Sequence, residues 1–347
     1  MATTETFAPI ALTMGEPGGI GGEVTVKAWK ALKNSGIAFY VIADPDRLAH
    51  LGAPVSSISK AAEAAAIFEN TLPVIPIGAP VISIPGKADP RYADLVLKSI
   101  ENAVSHTLSG DASAVVTAPI QKSSLIESGF RFPGHTEFLA DLTKTVPMPL
   151  LNGKERRRGS VMMIAGPELK TVPTTIHLPL KDAIKTLTPE LITETVMITA
   201  EALIADFAIP APRIALSGLN PHAGEEGALG TEEEEILRPA IAHLVKLGCD
   251  VKGPLPADAM FHKAAREKYD VAVCMYHDQA LIPAKTLAFE EGVNTTLGLP
   301  IIRTSPDHGT ALDIAGKDLA QPDSLIAAIK LAHEMAEKRR TLSTSTS

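Results

Sequence analysis

The segment Pro9-Ile-Ala-Leu-Thr-Met-Gly-Glu-Pro-Gly-Gly-Ile-Gly-Gly-Glu23 joins an apolar run to a glycine-rich turn and then to a helical pattern. It predicts a β-strand over 9–14 and an α-helix near 22–34. The glycines do not form the dinucleotide pattern G-x-G-x-x-G, because the third position counted from Gly19 is Val24. No Gly-Lys-Ser/Thr follows, which excludes a P-loop. The segment is therefore either a tight turn that needs glycine or an anion cradle at a helix N-terminus.

Short β-branched runs continue to alternate with Ala- and Leu-rich helical stretches along the chain. Strands are predicted at 37–43, 114–117, 160–165, 171–178, 213–219 and 271–276, and helices at 45–51 and 189–207. Strands that alternate with helices favour parallel sheets with helices on both faces. The sequence therefore predicts the α/β class.

The composition indicates a folded protein of about two domains. The chain has 347 residues, 45% of them hydrophobic and 21% charged, and a domain usually holds about 100–200 residues. A formal net charge of −8 and an aromatic content of 4% argue against nucleic acid as a partner. No apolar run approaches the roughly 18 residues of a membrane span. The N-terminus lacks the features of a signal peptide, so we expect a cytoplasmic protein without membrane partners.

Three histidines follow apolar strand patterns: His177, His222 and His277. In open α/β sheets ligands bind at the carboxyl ends of strands, where three imidazoles could share a divalent metal and leave a position open. Asp278 or Glu225 could orient them through hydrogen bonds. Taken singly, each histidine also fits a structural role, since no local metal motif is present.

Several polar residues suit an anionic substrate. His135 and Thr136 follow a turn and open a predicted helix, whose N–H groups could meet an anion. Lys285, Asn294 and Arg303 follow His277 in turn-rich sequence, and two cations with an amide suit a phosphate or carboxylate. Ordinary surface charge is the alternative for these three.

Three further segments have plain structural interpretations. The basic run 154–158 is typical of a solvated loop, with a phosphate patch as the alternative. Thr231 and Glu234 match a capping box, so the acidic run 232–235 is expected to be a solvated helix start. The Ser- and Thr-rich tail 341–347 is expected to be disordered.

A second glycine-containing loop is more specific. The run His308-Gly-Thr-Ala-Leu-Asp-Ile-Ala-Gly-Lys317 resembles the adenosine-binding loop of the isocitrate/isopropylmalate dehydrogenase superfamily. A histidine could face the adenine, small residues allow close approach, and Asp313 could meet a hydroxyl. The alternative is that Asp313 caps the next helix.

Together these segments resemble the 4-hydroxythreonine-4-phosphate dehydrogenase family of pyridoxal phosphate biosynthesis. The resemblance covers nearly the whole chain in order and is carried by seven segments, namely 13–17, 134–137, 177–180, 219–225, 253–258, 276–279 and 294–317. The family's first turn usually reads G-D-P-x-G-I-G-P-E. This chain departs from it with Glu16 in place of the aspartate and Gly22 in place of the second proline.

The resemblance implies an isopropylmalate dehydrogenase-like fold, not a Rossmann fold, with two α/β/α domains and a central cleft. Residues 1–132 plus 305–347 would form the outer, cofactor-side domain. Residues 133–304 would be an inserted domain that carries metal and substrate residues and the dimer contacts. The active site of the homodimer would be completed by the partner subunit.

The resemblance also implies roles for the residues above. The metal (Zn, Co or Mg) would be held by His177, His222 and His277, the phosphorylated substrate by His135, Thr136, Lys285, Asn294 and Arg303, and NAD or NADP by His308, Gly309, Ala311 and Asp313. Three imidazoles suit Zn²⁺ or Co²⁺ better than Mg²⁺. His135, Asp278 and Lys285 are the candidate catalytic residues, and the acceptor of the hydroxyl proton stays open among His135, Asp278 and a metal-bound hydroxide.

The implied reaction is the oxidation of 4-hydroxy-L-threonine 4-phosphate at C3, followed by decarboxylation. Family relatives oxidise other substrates, such as a four-carbon aldonate 4-phosphate or a cyclic diol. A metal-dependent hydrolase or lyase and a non-catalytic binding protein are the alternatives from other functional classes. The 308–317 loop argues against the hydrolase or lyase, which has no reason to carry an adenosine-binding loop. The binding protein is distinguished by His222→Ala, which should abolish metal loading and turnover in the enzyme while leaving the fold intact.

Overall fold

The computed structural model describes residues 7–132 and 134–345 and divides into two compact units. The first unit comprises Met1–Val146 and Ile301–Ala336, and the second comprises Pro147–Pro300 and Glu337–Ser347. The predicted domains, 1–132 plus 305–347 and 133–304, stay a prediction. So do the cofactor, metal and dimer roles assigned to them. Residues 1–6, to which the prediction of no signal peptide refers, lie outside the described residues.

The first unit is built on a parallel sheet whose inner strands are largely buried and whose edge strand β3 is partly exposed. Its order is β14 (Arg303–Pro306), β5 (Val115–Val116), β1 (Ile10–Thr13), β2 (Phe39–Ala43), β4 (Leu72–Pro76) and β3 (Val55–Ser57). Its helices are α1 (Gly21–Leu32), α2 (Pro45–His50), α3 (Ala64–Ile67), α4 (Ala93–Ser109), α5 (Lys122–Glu127), α6 (His135–Leu142) and the start of α13 (Asp323–Ser345). The carboxyl ends of parallel strands share one edge of the sheet, where ligands of such folds bind.

The turn after β1 explains the departure from the family pattern. Arg47 donates from Nη2 to the Pro17 carbonyl and from Nε to Ser83 Oγ at 3.2 Å. A Cβ added at Gly22 would lie 2.6 Å from Arg47 Nη1, so a bulkier residue would displace this guanidinium. Glu16 is buried beside it, and burial raises the pKa of its carboxyl. Gly22 therefore makes room for a half-buried arginine that supports the turn.

The second unit is built on a mixed sheet. Its order is β11 (Asp250–Leu255), β10 (Arg213–Ser217), β12 (Val271–Cys274), β9 (Lys170–Pro173), β8 (Val161–Ala165) and β13 (Val293–Leu297), with a hairpin of β6 (Leu150–Leu151) and β7 (Lys154–Glu155). Strand β8 is antiparallel to both of its neighbours. Its helices are α7 (Leu180–Thr186), α8 (Pro189–Phe207), α9 (Arg238–Lys246), α10 (Ala257–Met260), α11 (Lys263–Arg266) and α12 (His277–Leu287). Aliphatic and sulfur-containing side chains form its core on β8, β10, β12 and α12.

Most of the predicted elements are confirmed, with ends that differ by a few residues. Helix α8 begins and ends where predicted, because Thr188 Oγ1 accepts a hydrogen bond from the Leu191 N–H at 3.1 Å and Pro189 follows as the first helical residue. The predicted strand 171–178 is too long, since β9 ends at Pro173 and the chain then forms a loop. The β-branched residues at 174–176 gave a strand pattern that tertiary structure overrides.

The two charged runs differ from their predicted roles. Arg156 is buried rather than solvated, and it donates to the Asp206 carboxylate at 2.9 and 3.0 Å. The capping box is absent: a π-helical turn begins at Glu233, and the Thr231 carbonyl accepts the N–H groups of Glu234 and Glu235. Glu233 is itself buried. A charge pattern cannot show which member of a run faces the core.

The chain's C-terminal end is more ordered than expected. Helix α13 continues to Ser345, so disorder over 341–345 is wrong, while residues 346–347 lie outside the described residues. Within 7–132 and 134–345 no helix has the length and apolar content to cross a membrane. The cytoplasmic location and the absence of nucleic-acid partners stay predictions.

Candidate active site

Two cations, Arg303 and Lys122, lie near His135 in the first unit. His135 begins α6 after Gly134, whose backbone is extended. Burial first, and then the charges of Arg303 and Lys122, hold the pKa of His135 well below its usual 6.5. Its Nε2 atom is buried and has no hydrogen-bond partner in the described part of the chain. The imidazole is therefore neutral near pH 7, and one of its nitrogens is open to a ligand.

Arg303 lies on β14, beside β5. The buried guanidinium donates from Nε at 3.1 Å and from Nη2 at 2.7 Å to Thr117 Oγ1. Burial lowers its pKa to about 10, so the group is still charged at pH 7. Thr136 lies in the first turn of α6. The first unit therefore holds three of the predicted substrate residues: His135 and Thr136 at the start of α6, and Arg303, whose charge acts on His135.

Lys122 is a residue near His135 that the sequence analysis missed. It begins α5, and its Nζ lies near Gly134, 3.6 Å from where a Cβ on that glycine would be. The signal was its position shortly after the strand pattern 114–117, the same criterion that selected the three histidines.

The other two predicted substrate residues lie in the second unit, on regular elements rather than in turns. Lys285 is on α12 and Asn294 is on β13, so the turn-rich interpretation is wrong for them, as it is for Arg303. Pro283 and Gly292 nearby gave the misleading signal; Pro283 lies inside α12. Asn294 Oδ1 is buried and has no hydrogen-bond partner among residues 7–132 and 134–345.

Two of the three candidate metal ligands are neighbours. The ring centroids of His177 and His277 lie 5.8 Å apart. Both rings line a cavity of about 260 Å³, together with Leu178, Leu180 and Tyr276 among others. His177 sits in the loop after β9 with φ 47°, and His277 is the first residue of α12. The loop conformation thus brings the two imidazoles together from different elements.

A carboxylate sets the tautomer of His277. Its Nδ1 lies 2.7 Å from Asp278 Oδ1. A carboxylate only accepts, so Nδ1 carries the proton and Nε2 of the neutral ring has its lone pair available. This is the arrangement by which a neighbouring acid orients a histidine ligand toward a metal. Asp278 therefore acts on His277 as the sequence analysis expected.

His222 lies on an unusual turn. Residues 222–226 all have positive φ, between 44° and 80°, and four of these five residues are not glycine. Each such residue costs about 1–2 kcal/mol, so a run of them persists only when its surroundings hold it. The His222 side chain is exposed at the start of this turn.

The three imidazoles are not assembled into a metal site. Among residues 7–132 and 134–345, no group of three or more His, Cys, Asp or Glu side chains is placed to hold an ion. In donor chemistry the set suits a divalent transition metal. In geometry only His177 and His277 lie close enough together to suit a shared ion, and His222 does not lie with them.

The predicted cofactor loop packs against the turn that follows β1. The Ile20 N–H donates to the Thr310 carbonyl at 3.0 Å, and a Cβ on Gly19 would lie 2.8 Å from the same oxygen. Glu23 Oε1 accepts the Gly316 N–H. The two glycine-containing segments of the sequence therefore form one surface of the first unit.

His308 presents an open nitrogen on this loop. Its Nδ1 lies 2.9 Å from the Gly309 carbonyl oxygen, which can only accept, so Nδ1 carries the proton. Nε2 is then an acceptor in the neutral ring, and it is buried with no partner in the described residues. A Cβ at Gly309 would meet nothing within 4 Å, and Ala311 has φ 44°. The capping role for Asp313 is wrong, because the next helix begins at Asp323.

Comparison with known proteins decides the family. The model of the family described as pyridoxal phosphate biosynthetic protein PdxA matches residues 37–332. The chain belongs to the PdxA family. A relative from Caulobacter vibrioides, named 4-hydroxythreonine-4-phosphate dehydrogenase, is 50% identical over 338 residues, which cover 96% of this chain and 99% of that protein. One of the same name from Bradyrhizobium diazoefficiens is 51% identical over 345 residues, covering 94% and 97%.

A solved structure agrees with this assignment. The 4-hydroxythreonine-4-phosphate dehydrogenase of Klebsiella pneumoniae superimposes with a TM-score of 0.83 at 36% identity, covering 96% of this chain and 99% of that one. The predicted α/β class is thereby confirmed, with the fold of that dehydrogenase. This PdxA family member is an oxidoreductase, a dehydrogenase. The hydrolase, lyase and non-catalytic alternatives are therefore wrong.

Proposed function

We propose that the chain oxidises 4-hydroxy-L-threonine 4-phosphate at C3, using NAD or NADP and a divalent metal. The product, 2-amino-3-oxo-4-phosphooxybutanoate, is a β-keto acid and loses CO2 to give 3-amino-2-oxopropyl phosphate. The observation that carries this proposal is the identity of about half of all residues, over nearly the full length, with relatives of that name. The product would be used in pyridoxine 5′-phosphate biosynthesis.

The surroundings of His135 support a phosphorylated substrate. Arg303 is a buried cation, Lys122 adds a second positive charge, and the α6 N-terminus offers N–H groups. His135 Nε2 would meet the substrate directly. Because its pKa lies well below 6.5, His135 is neutral near pH 7 and offers the substrate one N–H donor and one acceptor nitrogen. We assign His135 and Arg303, with Thr136 and Lys122, to substrate binding in the first unit.

The second unit carries the remaining residues that we assign to the reaction. We assign Lys285, about two turns along α12 from His277, and Asn294, whose buried Oδ1 has no partner in the described part of the chain, to substrate binding. Asp278 keeps Nδ1 of His277 protonated, which directs the Nε2 lone pair outward. His177, His222 and His277 would hold the metal, which we expect to be Zn²⁺, Co²⁺ or Mg²⁺. When bound, the metal lowers the pKa of the C3 hydroxyl and the nicotinamide takes up the hydride from C3.

The 308–317 loop supports an adenine nucleotide as the cofactor. The acceptor Nε2 of His308 suits the exocyclic amino group of adenine. Gly309 leaves space for close approach, and Asp313 is free of a capping role and available to a ribose hydroxyl. We assign His308, Gly309, Ala311 and Asp313 to NAD or NADP binding.

Exposed apolar side chains in the second unit, two of them beside His177 and His277, support a homodimer. Leu178, Leu180, Ile282 and Phe289 are exposed in the second unit, the last two at 65% and 76%. Leu178 and Leu180 also line the cavity of His177 and His277. Such patches mark interaction sites more often than chance exposure. Light scattering of the purified protein should give twice the chain mass, and a monomer for wild type would contradict the dimer.

A substrate panel tests the proposed reaction. Purified protein is assayed for NADH and NADPH formation with Zn²⁺, Co²⁺ or Mg²⁺ and three substrates: 4-hydroxythreonine 4-phosphate, a four-carbon aldonate 4-phosphate and a cyclic diol. The first substrate should give the highest kcat/KM, because specificity is a difference in transition-state binding. A higher kcat/KM for the aldonate phosphate or for the cyclic diol would show that this compound, and not 4-hydroxythreonine 4-phosphate, is the substrate.

A further inference from the structure

Glu233 is a buried acid that the proposed reaction does not use. It is 1% exposed, whereas its neighbours Glu234 and Glu235 on the same π-helical turn are exposed. A buried carboxylate is costly unless hydrogen bonds compensate for the water it has lost. The contacts that compensate Glu233 lie on the segment leading to His222.

Three hydrogen bonds join Glu233 to Leu219 and Asn220, which lie shortly before His222 in the chain. Oε1 accepts the backbone N–H groups of Leu219 at 2.8 Å and of Asn220 at 2.7 Å. Oε2 accepts from Asn220 Nδ2 at 2.9 Å. Asn220 Nδ2 also donates to Glu232 Oε2 at 2.7 Å. Glu233 therefore holds the backbone where the polypeptide leaves β10 and shares the Asn220 side chain with Glu232.

Glu233 also contacts the segment beyond His222. A Cβ added at Gly224 would lie 2.6 Å from Glu233 Oε2, so the glycine packs directly on the carboxylate. A Cβ at Gly218 would lie 3.2 Å from Oε1 and 2.9 Å from the Ala223 Cβ. His222 thus lies between two segments, 218–220 and 224, that both contact the same side chain.

This contact explains how the left-handed turn persists. His222 and Ala223 both have φ 52°, a conformation that needs support from its surroundings. The hydrogen bond from Ala223 N–H to the Asn220 carbonyl, at 3.1 Å, closes the turn onto the residue that Glu233 holds. The direction of the His222 side chain therefore depends on Glu233.

We propose that Glu233 is a positioning residue, which fixes the turn so that the His222 imidazole can serve as a metal ligand. It touches neither the metal nor the substrate. This inference rests on the proposed metal site. Removing a group that orients a metal-ligating histidine typically lowers metal affinity roughly 10- to 100-fold.

The test compares Glu233→Gln with Glu235→Gln, which makes the same chemical change at an exposed position of the same turn. In Glu233→Gln one carboxylate oxygen is replaced by an NH₂ group, which only donates hydrogen bonds. This group would face either the two backbone N–H groups or Asn220 Nδ2, which also donate, so the three hydrogen bonds cannot all form. Co²⁺ affinity is measured by calorimetry, with the visible spectrum as a coordination signature and His222→Ala as the reference. Hydrogen exchange of the Leu219 and Asn220 amides is measured without metal.

We expect Glu233→Gln to weaken Co²⁺ binding by 10-fold or more, to alter the spectrum and to speed exchange at both amides, while Glu235→Gln matches wild type. Equal affinity in the two glutamine variants, with His222→Ala still defective, would overturn the positioning role alone. A wild-type protein that binds no Co²⁺ would overturn the metal site itself. Should Glu233→Gln fail to fold, Gly224→Ala gives the answer, because its Cβ displaces the carboxylate locally; unchanged affinity there would contradict the proposal.

Discussion

Asp206 in the second unit and His135 in the first are both buried ionisable groups, and each lies near two cations. Asp206 accepts hydrogen bonds from Arg156 and from Arg339 at 2.8 to 3.0 Å. Burial raises the pKa of the Asp206 carboxyl, but the two arginines outweigh burial and hold the pKa below its usual value. At His135 the cations Arg303 and Lys122 act with burial, and the pKa falls because protonation would add a further positive charge.

The difference between these two surroundings distinguishes a cluster that stabilises the fold from a group that is suited to bind a ligand. The Asp206 cluster contains its own anion, so its charges are balanced by the fold. At His135 a neutral ring, whose buried Nε2 has no hydrogen-bond partner in the described part of the chain, lies near Arg303 and Lys122. Glu137 Oε2 is also nearby, 3.6 Å from where a Cβ on Gly134 would be, but no anion is hydrogen-bonded to the ring in that part of the chain. A buried charge with its partners present indicates structure, and an open buried atom beside cations indicates a site.

The largest effect is expected at Asp206. In Asp206→Asn two arginines lose a buried counter-charge, and we expect a loss of about 3–5 kcal/mol in the free energy of unfolding. Urea denaturation measures it. A loss below about 1 kcal/mol would show that the cluster does not depend on its charge.

The same residue sets a pH dependence. Its folded pKa lies below the usual 3.8, so its contribution to stability is present above pH 4 and is lost as the pH falls through the folded pKa. Wild type should therefore lose stability relative to Asp206→Asn as the pH drops below 4.

An intermediate effect is expected at His135. The folded pKa lies well below 6.5, so the unfolded chain binds a proton first as the pH falls and stability declines below pH 6.5. The slope from this group is up to about 1.4 kcal/mol per pH unit. His135→Gln should flatten the stability profile between pH 6.5 and 5. The exposed His243→Gln serves as the control, and equal slopes in both variants would contradict burial of a neutral His135.

The smallest effect is expected at the exposed pair Arg157–Glu194, joined at 3.1 Å. Water screens such pairs, so Glu194→Gln should change the free energy of unfolding by less than about 1 kcal/mol. The same urea titration measures it beside Asp206→Asn. A loss as large as that of Asp206→Asn would remove the distinction between buried and exposed pairs.

The sequence was sufficient for the α/β class and for most elements, because periodicity and caps such as Thr188-Pro189 act locally. It was insufficient where one residue of a charged run turns inward, as Arg156 and Glu233 do. Their partners, Asp206 and Leu219–Asn220, are respectively 50 and 13–14 residues away. Long-range pairing of this kind is not encoded in a local pattern.

The candidate site was predictable in part for a related reason. Strand ends located His177 and His277, which the structure brings within 5.8 Å. They did not indicate Lys122, and they gave no sign of the left-handed turn at His222, which depends on contacts with Glu233 rather than on its own residues. The resemblance supplied roles that neither spacing nor composition could supply.

The central claim is that this dehydrogenase recognises a phosphorylated substrate through the cations around His135. The most direct measurement is kcat/KM for NAD reduction with 4-hydroxythreonine 4-phosphate and with unphosphorylated 4-hydroxythreonine, in wild type and in Arg303→Met. A charge-assisted hydrogen bond contributes about 1.5–3 kcal/mol, so the preference for the phosphorylated substrate should fall about 10-fold or more in the variant. An unchanged preference, or no NAD reduction by wild type with either substrate, would contradict the account.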